Sequence, residues 1–279
     1  MQIQWFLESD IYGDDIAELV KEIEAQGHGL KILSDRNHWD TSWLNLYDKK
    51  DCVIYYGGLE LGYTVRREAS WVPGIYSSIE NYACTKYYPI FGQYLLNQNY
   101  IMIPYGELLR QKDFLYEKVG IDNAVFIRPN KGNKVFTGTL VYKERFERDI
   151  DVMGFYETQP DELCVVCEPR NIEHEWRFLI VDNKFVAGST YGKSQHDVFS
   201  NQCTCEDRYA YAVATKVMCN IDYCPDRCWT LDMCMTKENN YYVNEVGCFS
   251  CAGLYSMDMS RVVSEVSRAA LEDWKEIFG

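Results

Sequence analysis

The sequence predicts a mixed α/β and α+β fold, and three features of the chain lead to this class. The N-terminal part alternates short apolar strands with an amphipathic helix, as in a small α/β layer. The later part carries strands that follow one another directly through polar turns, as in hairpins. The C-terminal segment has apolar side chains at helical spacing. A chain of 279 residues is long enough for two domains, and a change of pattern near Tyr105 divides it into 1–105 and 106–279.

The composition narrows the classes of function. The formal net charge is −14 and the pI is about 4.8, which argues against a nonspecific nucleic-acid partner or an anionic membrane surface, because both require a basic face. No apolar run approaches the roughly 20 residues of a membrane span, and the first residues lack the basic region of a signal peptide. We therefore expect a cytoplasmic protein.

The N-terminal elements can be placed from periodicity and glycines. A helix is predicted from about Asp14, because apolar side chains recur at helical spacing until Gly27. Strands are predicted over residues 3–7, 30–33 and 52–56. Residues 71–105 are rich in aromatic side chains, and we expect either a core cover that joins two domains or the wall of a substrate site.

The second predicted domain begins with a charged helix over 106–119. A strand at residues 125–129 follows, and its polar turn holds Lys131 and Lys134 on either side of a glycine. Such a turn suits a phosphate chain, because backbone N–H groups and lysines converge there. A simply solvated hairpin turn has the same composition, so the turn alone leaves both interpretations open.

A second hairpin is predicted with its turn at residues 182–184. On its first strand Glu175 and Arg177 share one face, because strand side chains alternate. A buried-looking strand over 162–168 precedes it and ends at Glu168. Two helices are also predicted, one over 206–219 and one after the capping residue Asp258.

The hairpin formed by residues 228–247 carries two carboxylates that the pairing is expected to oppose. If its turn is centred between Glu238 and Asn239, Asp232 lies directly opposite Glu245. Like charges in directly opposed positions repel, so we expect a cation between them. Mg²⁺ often binds through one or two carboxylates together with substrate phosphates. An exposed acidic pair is the alternative that spacing alone leaves open.

The chain contains 12 cysteines and 4 histidines. Because the chain is long and lacks an export signal, we expect the cysteines to be reduced and mostly buried thiols. Cys248-x-x-Cys251 has no partner pair at the spacing of a zinc ribbon. The histidines form no triad or zinc pattern.

Taken in order, these segments resemble an ATP-grasp domain from about Gly106 to the C-terminus. The chain is most similar to a clade of phages and bacteria that is marked by one arginine and two lysines. The resemblance implies two α+β subdomains that grip ATP, preceded by an α/β pre-grasp domain over residues 1–105. The motifs that carry it are Phe126-Ile-Arg-Pro with its lysine-bearing turn, the spacing from Glu168 to Glu175 before Trp176-Arg-Phe, Thr230-Leu-Asp232, and the segment from Asn244 to Tyr255.

The resemblance also implies roles for individual residues. Arg177 would stabilise the transferring phosphoryl group or the acyl phosphate, and Arg128 stands where many relatives place a nucleotide-binding lysine; both are expected to be catalytic. Asp232 and Glu245 would bind Mg²⁺. The remaining nucleotide contacts implied are Lys112, Lys131, Lys134, Glu168 at the adenine hinge, Arg170, Glu175 at the ribose hydroxyls, and Lys193, with Lys118 as a rival of Lys112 and Lys193.

Two positions depart from the pattern of these relatives. Relatives commonly show Glu-x-Asn on the second metal-binding strand, whereas this chain has Glu245-Val-Gly247, so an amide ligand is missing. The strand-end lysine is replaced by Arg128, which still binds phosphate bidentately but cannot act as a titrating base. The second metal and the turnover itself are therefore less firmly implied than ATP binding.

The function implied by the resemblance is that of an ATP-grasp enzyme, a carbon–nitrogen bond-forming ligase. It would join a carboxylate to an amine through an acyl-phosphate intermediate, with ATP and Mg²⁺ as cofactors. The partner is an unidentified carboxylate or amine substrate, either a small molecule, a peptide or a protein. The alternatives are a catalytically reduced ATP-binding sensor or interaction protein, and a small-molecule kinase on the same fold.

Overall fold

The computed structural model describes residues 2–9, 15–33, 41–132, 135–154, 158–192 and 194–279. Over these residues the chain forms twelve strands and seven α-helices. The strands are β1 (Gln4–Glu8), β2 (Gly29–Leu33), β3 (Cys52–Tyr56), β4 (Val72–Gly74), β5 (Tyr100–Pro104), β6 (Ala124–Pro129), β7 (Thr139–Tyr142), β8 (Leu163–Cys167), β9 (Ile172–Val181), β10 (Lys184–Thr190), β11 (Cys228–Thr236) and β12 (Tyr241–Cys248). The helices are α1 (Asp15–Ala25), α2 (Leu59–Glu68), α3 (Cys84–Phe91), α4 (Lys112–Val119), α5 (Phe146–Gly154), α6 (Cys205–Asn220) and α7 (Met259–Phe278).

The N-terminal sheet is parallel and has the strand order β2-β1-β3-β4. Every residue of β3 is buried, as expected for a central strand of a parallel sheet that is covered on both faces. On one face Phe6 and Tyr55 pack with Trp43 and Trp71. The other face packs against α7. This arrangement confirms the predicted α/β layer.

Two antiparallel sheets follow. The middle sheet has the order β5-β8-β6-β7, and the C-terminal sheet has the order β10-β9-β11-β12. The expected mixture of α/β and α+β architecture is therefore confirmed. The predicted division between residues 105 and 106 falls just after β5, which pairs with β8 of the middle sheet. A division before Tyr100 would keep the middle sheet within one unit, and the position of the boundary stays a prediction.

The predicted turn of the second hairpin is a tight two-residue connection. Asp182 and Asn183 join β9 to β10 with φ angles of 48° and 59°. Only turns with two left-handed residues match the twist of a two-residue hairpin, and Asp and Asn tolerate that conformation better than most side chains. Local chemistry therefore fixes this turn.

The aromatic segment at residues 71–105 mainly covers the C-terminal sheet. Tyr87, Tyr88 and Phe91 on α3 are buried in the same core as β9 and β11. This position agrees with a core cover. Tyr82 differs, because it also lines the cavity described below.

Helix α7 connects the N-terminal sheet to the C-terminal sheet. It buries valines and alanines against both, and the Trp5 indole donates a buried hydrogen bond of 3.0 Å to Ser267 Oγ. At the far end of the helix, Arg227 forms ion pairs with Asp273 and with three further acids, which are Asp182, Glu272 and Glu276. Among the helices of the described chain, none is long and apolar enough to cross a membrane.

Ser267→Ala is expected to lower the free energy of unfolding by about 1–3 kcal/mol, because the buried Trp5 indole N–H would lose its acceptor. Urea denaturation followed by circular dichroism measures the change. Ser264→Ala on the exposed face of the same helix is the matched control and should have little effect. Equal stability of the two variants would contradict the prediction.

Candidate functional site

Three charged residues form one row across the C-terminal sheet. Asp232 on β11 lies directly opposite Arg177 on β9 and directly opposite Glu245 on β12. Directly opposed residues point to the same face of a sheet. The expected opposition of Asp232 and Glu245 is therefore confirmed, and Arg177 extends the row.

A β-bulge in β12 sets this alignment. Near the turn, Met235 pairs with Tyr241, a register that would bring Asn244 opposite Asp232 if it continued. The register shifts between Met233 and Asp232, so that Glu245 takes the opposed position. A bulge places one extra residue in a strand and turns two successive side chains to nearly the same side. Here the extra residue is Asn244.

The side chains around the bulge follow this geometry. Val243 and Val246 both pack into the core behind the sheet. Asn244 and Glu245 lie between them and turn to the opposite face: Asn244 Nδ2 donates a hydrogen bond of 2.9 Å to Glu175 Oε1, and Glu245 lines a cavity. The bulge therefore presents an amide and a carboxylate side by side.

Asp232 is buried and held by an arginine. Arg177 Nε and Nη2 donate hydrogen bonds of 2.8 and 2.7 Å to its two oxygens, and Tyr191 OH donates one of 3.1 Å. Arg177 Nη1 donates to Gly253 O, and the guanidinium lies over the rings of Tyr191 and Tyr255. Burial and the Asp232 charge raise the pKa of Tyr191, so its hydroxyl stays protonated. This packing fixes the guanidinium plane.

Glu245 is the point at which the middle and C-terminal sheets meet. Arg128 Nη2, on β6, donates a hydrogen bond of 2.6 Å to Glu245 Oε1. The Arg128 side chain is only 16% exposed, so this ion pair is shielded from solvent. The predicted cation at the opposed carboxylates is thus supplied by the chain, by Arg177 at Asp232 and by Arg128 at Glu245.

Glu175 belongs to the same electrostatic cluster. Burial raises the pKa of Glu175, and the nearby Asp232 carboxylate raises it further. Its hydrogen bond to Asn244 opposes this shift by favouring the charged form. Because a carboxylate accepts hydrogen bonds, the amide nitrogen of Asn244 must face it. The amide oxygen then faces elsewhere, and no hydrogen bond to it is observed among the described residues.

Gly247 and Thr230 lie opposite each other on the same two strands. A Cβ at Gly247 would lie 2.6 Å from Thr230 Oγ1, so no side chain fits there without displacing the hydroxyl. Thr230 is fully buried, and Thr230 Oγ1 has no hydrogen-bond partner among the described residues although it lines the cavity. The threonine therefore occupies space that an asparagine at position 247 would need.

A cavity of about 900 Å³ lies in front of this face. One wall is the row of the C-terminal sheet, including Arg177, Thr230 and Glu245. The other wall is α2 of the N-terminal layer, where the residues at helical spacing are Leu59, Gly62, Tyr63 and Arg66. The site is thus shared between the two predicted domains.

The structure describes several of the other predicted nucleotide contacts outside this cavity. Glu168 accepts hydrogen bonds from Asn99 and Arg170, so two predicted residues contact each other. The Lys112 amine lies over the ring of Phe146, 5.6 Å from its centroid. The remaining lysines are Lys118, which pairs with Glu117 on the surface, Lys131, which precedes the cavity-lining Gly132, and Lys134 and Lys193, which lie outside the described residues.

Oxygen donors suited to Mg²⁺ are gathered at the bulge. Glu245 supplies a carboxylate and Asn244 an amide oxygen, and Asp232 lies opposite. Within the described ranges no group of three or more His, Cys, Asp or Glu side chains is arranged around a metal position. Mg²⁺ commonly takes only one or two carboxylates and completes its shell with phosphates and water. The donor set fits such a site, with Asp232 more tightly engaged by Arg177 than Glu245 is by Arg128.

Sequence reasoning missed four side chains of the site. Tyr191, Tyr255, Thr230 and Asn244 each contact or adjoin a predicted residue. Alternation could have identified Thr230, which lies two residues before Asp232 on the same strand face. The role of Asn244 depends on the bulge, which leaves no signature in the alternation of the strand.

Two neighbouring α+β sheets joined by an arginine–carboxylate pair, behind a parallel α/β layer, define a protein of the ATP-grasp class. The family model described as an ATP-grasp domain, clade family 2, matches residues 111–264, more than half of the chain, and the chain belongs to this family. Among curated protein sequences no match to the chain is found. Which arginine and lysines act on the nucleotide stays a prediction.

Solved structures share the fold at low identity. N5-carboxyaminoimidazole synthetase from Staphylococcus aureus, complexed with ADP, is 10% identical with a TM-score of 0.60, over 96% of this chain and 78% of that one. D-cycloserine synthetase DcsG is 11% identical with a TM-score of 0.60, over 96% and 99%. D-alanine–D-alanine ligase from Bacillus anthracis is 12% identical with a TM-score of 0.58, over 99% of both chains. These similarities extend the fold assignment over the N-terminal layer.

Proposed function

We propose that the chain is an ATP-dependent ligase that joins a carboxylate to an amine through an acyl phosphate, with ATP and Mg²⁺ as cofactors and in the cytoplasm. The observation that carries the proposal is the row of Arg177, Asp232 and Glu245 in front of a cavity shared with the N-terminal layer. The name of the similar D-alanine–D-alanine ligase is in keeping with it.

The reaction would proceed in two displacements. A carboxylate oxygen of the first substrate attacks the γ-phosphorus of ATP and ADP leaves. The amine then attacks the acyl carbon, and phosphate leaves with the bond electrons. Negative charge spreads over the phosphoryl oxygens in both steps, so fixed positive charge lowers both barriers.

Arg177 is the residue best placed to supply that charge. A guanidinium carries five N–H donors, and three of those of Arg177 are used by Asp232 and Gly253. The others remain for an anion in the cavity that Arg177 lines. Tyr191 and Tyr255 hold the guanidinium in place, so little reorganisation is needed when charge develops.

Bound Mg²⁺ would neutralise charge on the transferring phosphoryl group. Glu245 and Asn244, with Asp232 opposite, are the residues that would hold it. Asn244 provides the amide that relatives carry two residues after the glutamate, and Glu175 orients it through the hydrogen bond to Nδ2. Arg128, Lys112, Lys131, Lys134, Glu168, Arg170 and Lys193 remain the proposed nucleotide contacts.

Glu245→Gln and Asn244→Ala are each expected to weaken the binding of divalent cation about 10- to 100-fold in the presence of a non-hydrolysable ATP analogue. Removing a ligand charge or an amide oxygen leaves the cation more dependent on the phosphates. Electron paramagnetic resonance of free Mn²⁺ measures the affinity without any turnover. Glu238→Gln and Asn240→Ala in the exposed turn of the same hairpin are the matched controls. Wild-type affinity in both site variants would remove the bulge from the cation site.

The ligase itself is tested by its products. The chain is incubated with ATP, Mg²⁺ and a cell extract, and mass spectrometry compares the mixture with one that contains Arg177→Lys. A ligase forms ADP, phosphate and a new amide in equal amounts. A stable phosphorylated compound without an amide would identify the small-molecule kinase instead.

Gly247 favours one further candidate, an ATP-binding sensor or interaction protein with reduced catalysis. Calorimetry separates it from the ligase. A sensor binds ATP with Mg²⁺ and releases no ADP with any acceptor offered. The amide at Asn244 is the observation that makes the ligase the preferred function.

A further inference from the structure

A pair of cysteines lines the cavity and has no role in the chemistry above. Cys248 ends β12, and Cys251 ends the 3₁₀ turn Phe249–Cys251 that follows. Side chains three residues apart in a 3₁₀ turn lie one above the other. The two thiols therefore point to the same side, and they are hydrogen-bonded to each other. Both residues are half-buried, at the edge of the cavity.

The surroundings of the pair favour a reactive thiolate at Cys248. The hydrogen bond from Cys251 lowers the pKa of Cys248 to about 7, burial opposes this, and Ser77 adds a further hydrogen bond. Burial instead raises the pKa of Cys164 and of Cys167 to about 12. The thiolate is the form that attacks sulfur electrophiles.

The second pair with the same spacing provides an internal comparison. Cys164 and Cys167 lie on β8, where residues three apart point to opposite faces. Both are fully buried, and neither lines the cavity. Spacing is therefore shared by the two pairs, while alignment and access belong only to Cys248 and Cys251.

We propose that Cys248 and Cys251 form a dithiol site that reacts with low-molecular-weight disulfides of the glutathione disulfide type and closes into a disulfide. The Cys248 thiolate attacks one sulfur of the reagent and the first glutathione leaves as a thiolate. The Cys251 thiolate then attacks the Cys248 sulfur of the mixed disulfide, and the second glutathione leaves. Two thiols of the chain are oxidised, one disulfide of the reagent is reduced, and two protons pass to the departing thiolates or to buffer.

The site changes a wall of the cavity rather than the charged row. Cys251 Sγ lies 3.7 Å from Gly58 O and against Gly62 at the start of α2. Closing the disulfide removes the thiol hydrogen at this contact and draws the sulfur toward β12. The modification is therefore adjacent to the wall that α2 contributes and three residues beyond Glu245.

Tryptic digestion provides a direct readout that does not depend on turnover. Cleavage after Lys237 and Arg261 releases residues 238–261, which contain Cys248 and Cys251 as their only cysteines. Cleavage after Arg148 and Arg170 releases residues 149–170, which contain Cys164 and Cys167 only. The folded chain is treated with glutathione disulfide, remaining thiols are alkylated in acid, and both peptides are weighed.

The expected result is that peptide 238–261 loses two hydrogens and takes no alkyl group, at a rate about a hundredfold above that of peptide 149–170. In Cys251→Ser, which lacks the resolving thiol, the same peptide should accumulate one glutathione on Cys248. Equal rates for the two peptides, or a lasting glutathione adduct in the unmodified chain, would overturn the proposal. Because the readout is peptide mass, these outcomes are independent of whether the ligase function holds.

Discussion

Arg177→Lys is expected to lower ATP turnover about 10²- to 10³-fold while the chain remains folded. Lysine keeps the positive charge that Asp232 requires. It cannot donate to both oxygens of Asp232 and present further N–H groups to the cavity, because an ammonium lacks the planar fork of a guanidinium. Steady-state ADP release, measured with the acceptor found in the product test, gives the loss in kcat/KM.

Arg208→Lys is the matched control, since Arg208 is exposed on α6 and far along the chain from the row. Its turnover should equal that of the unmodified chain. Thermal unfolding of both variants shows whether lost turnover reflects lost structure. Wild-type turnover in Arg177→Lys would assign the charge stabilisation to another cation.

Asp232→Asn is expected to lower the free energy of unfolding by about 3–5 kcal/mol. The side chains of Asp232 and Arg177 are only 6% and 10% exposed, so the variant leaves a buried guanidinium without its counter-charge. Urea denaturation measures the change. A loss below about 1 kcal/mol would mean that water reaches the pair and screens it, as at exposed ion pairs.

A double variant separates stability from catalysis at the same pair. Replacing both partners by apolar side chains of similar size, Arg177→Met with Asp232→Leu, should recover much of the lost stability, because no buried charge is left unpaired. Turnover should stay absent. Recovery of turnover together with stability would show that the pair acts only on the fold.

The fold was predictable where one strand or one turn carries enough information. The run Cys52–Tyr56 matches β3 at both ends, and the Asp182–Asn183 turn follows from the two residue types that accept its backbone. The family resemblance then supplied the order of the sheets. The pairing of β5 with β8 joins segments far apart in the chain, and no local pattern announces it.

The opposed pair shows how a correct prediction can rest on an incomplete reason. Counting outward from the hairpin turn placed Asp232 opposite Glu245, but the pairing next to the turn is one residue out of step with that count. The bulge at Asn244 restores it. Sequence alternation fixes which face a residue takes in a regular strand, but it does not reveal where a strand gains a residue.

The contact between Arg128 and Glu245 was beyond sequence reasoning for a different reason. The two residues are 117 positions apart and lie in separate sheets, so only the packing of those sheets brings them together. The same holds for the cavity, whose second wall comes from α2. Sequence patterns identified the charged residues as candidates, and the tertiary structure decided which of them meet.

The Arg128–Glu245 pair also sets a competition by mass action. A divalent cation that binds Glu245 must displace the guanidinium, so the apparent affinity for the cation is lower than the site's intrinsic affinity by the share of chains in which the pair is closed. The displaced guanidinium then becomes available to an incoming phosphate. Cation and triphosphate should therefore bind with positive cooperativity, each removing the partner that opposes the other.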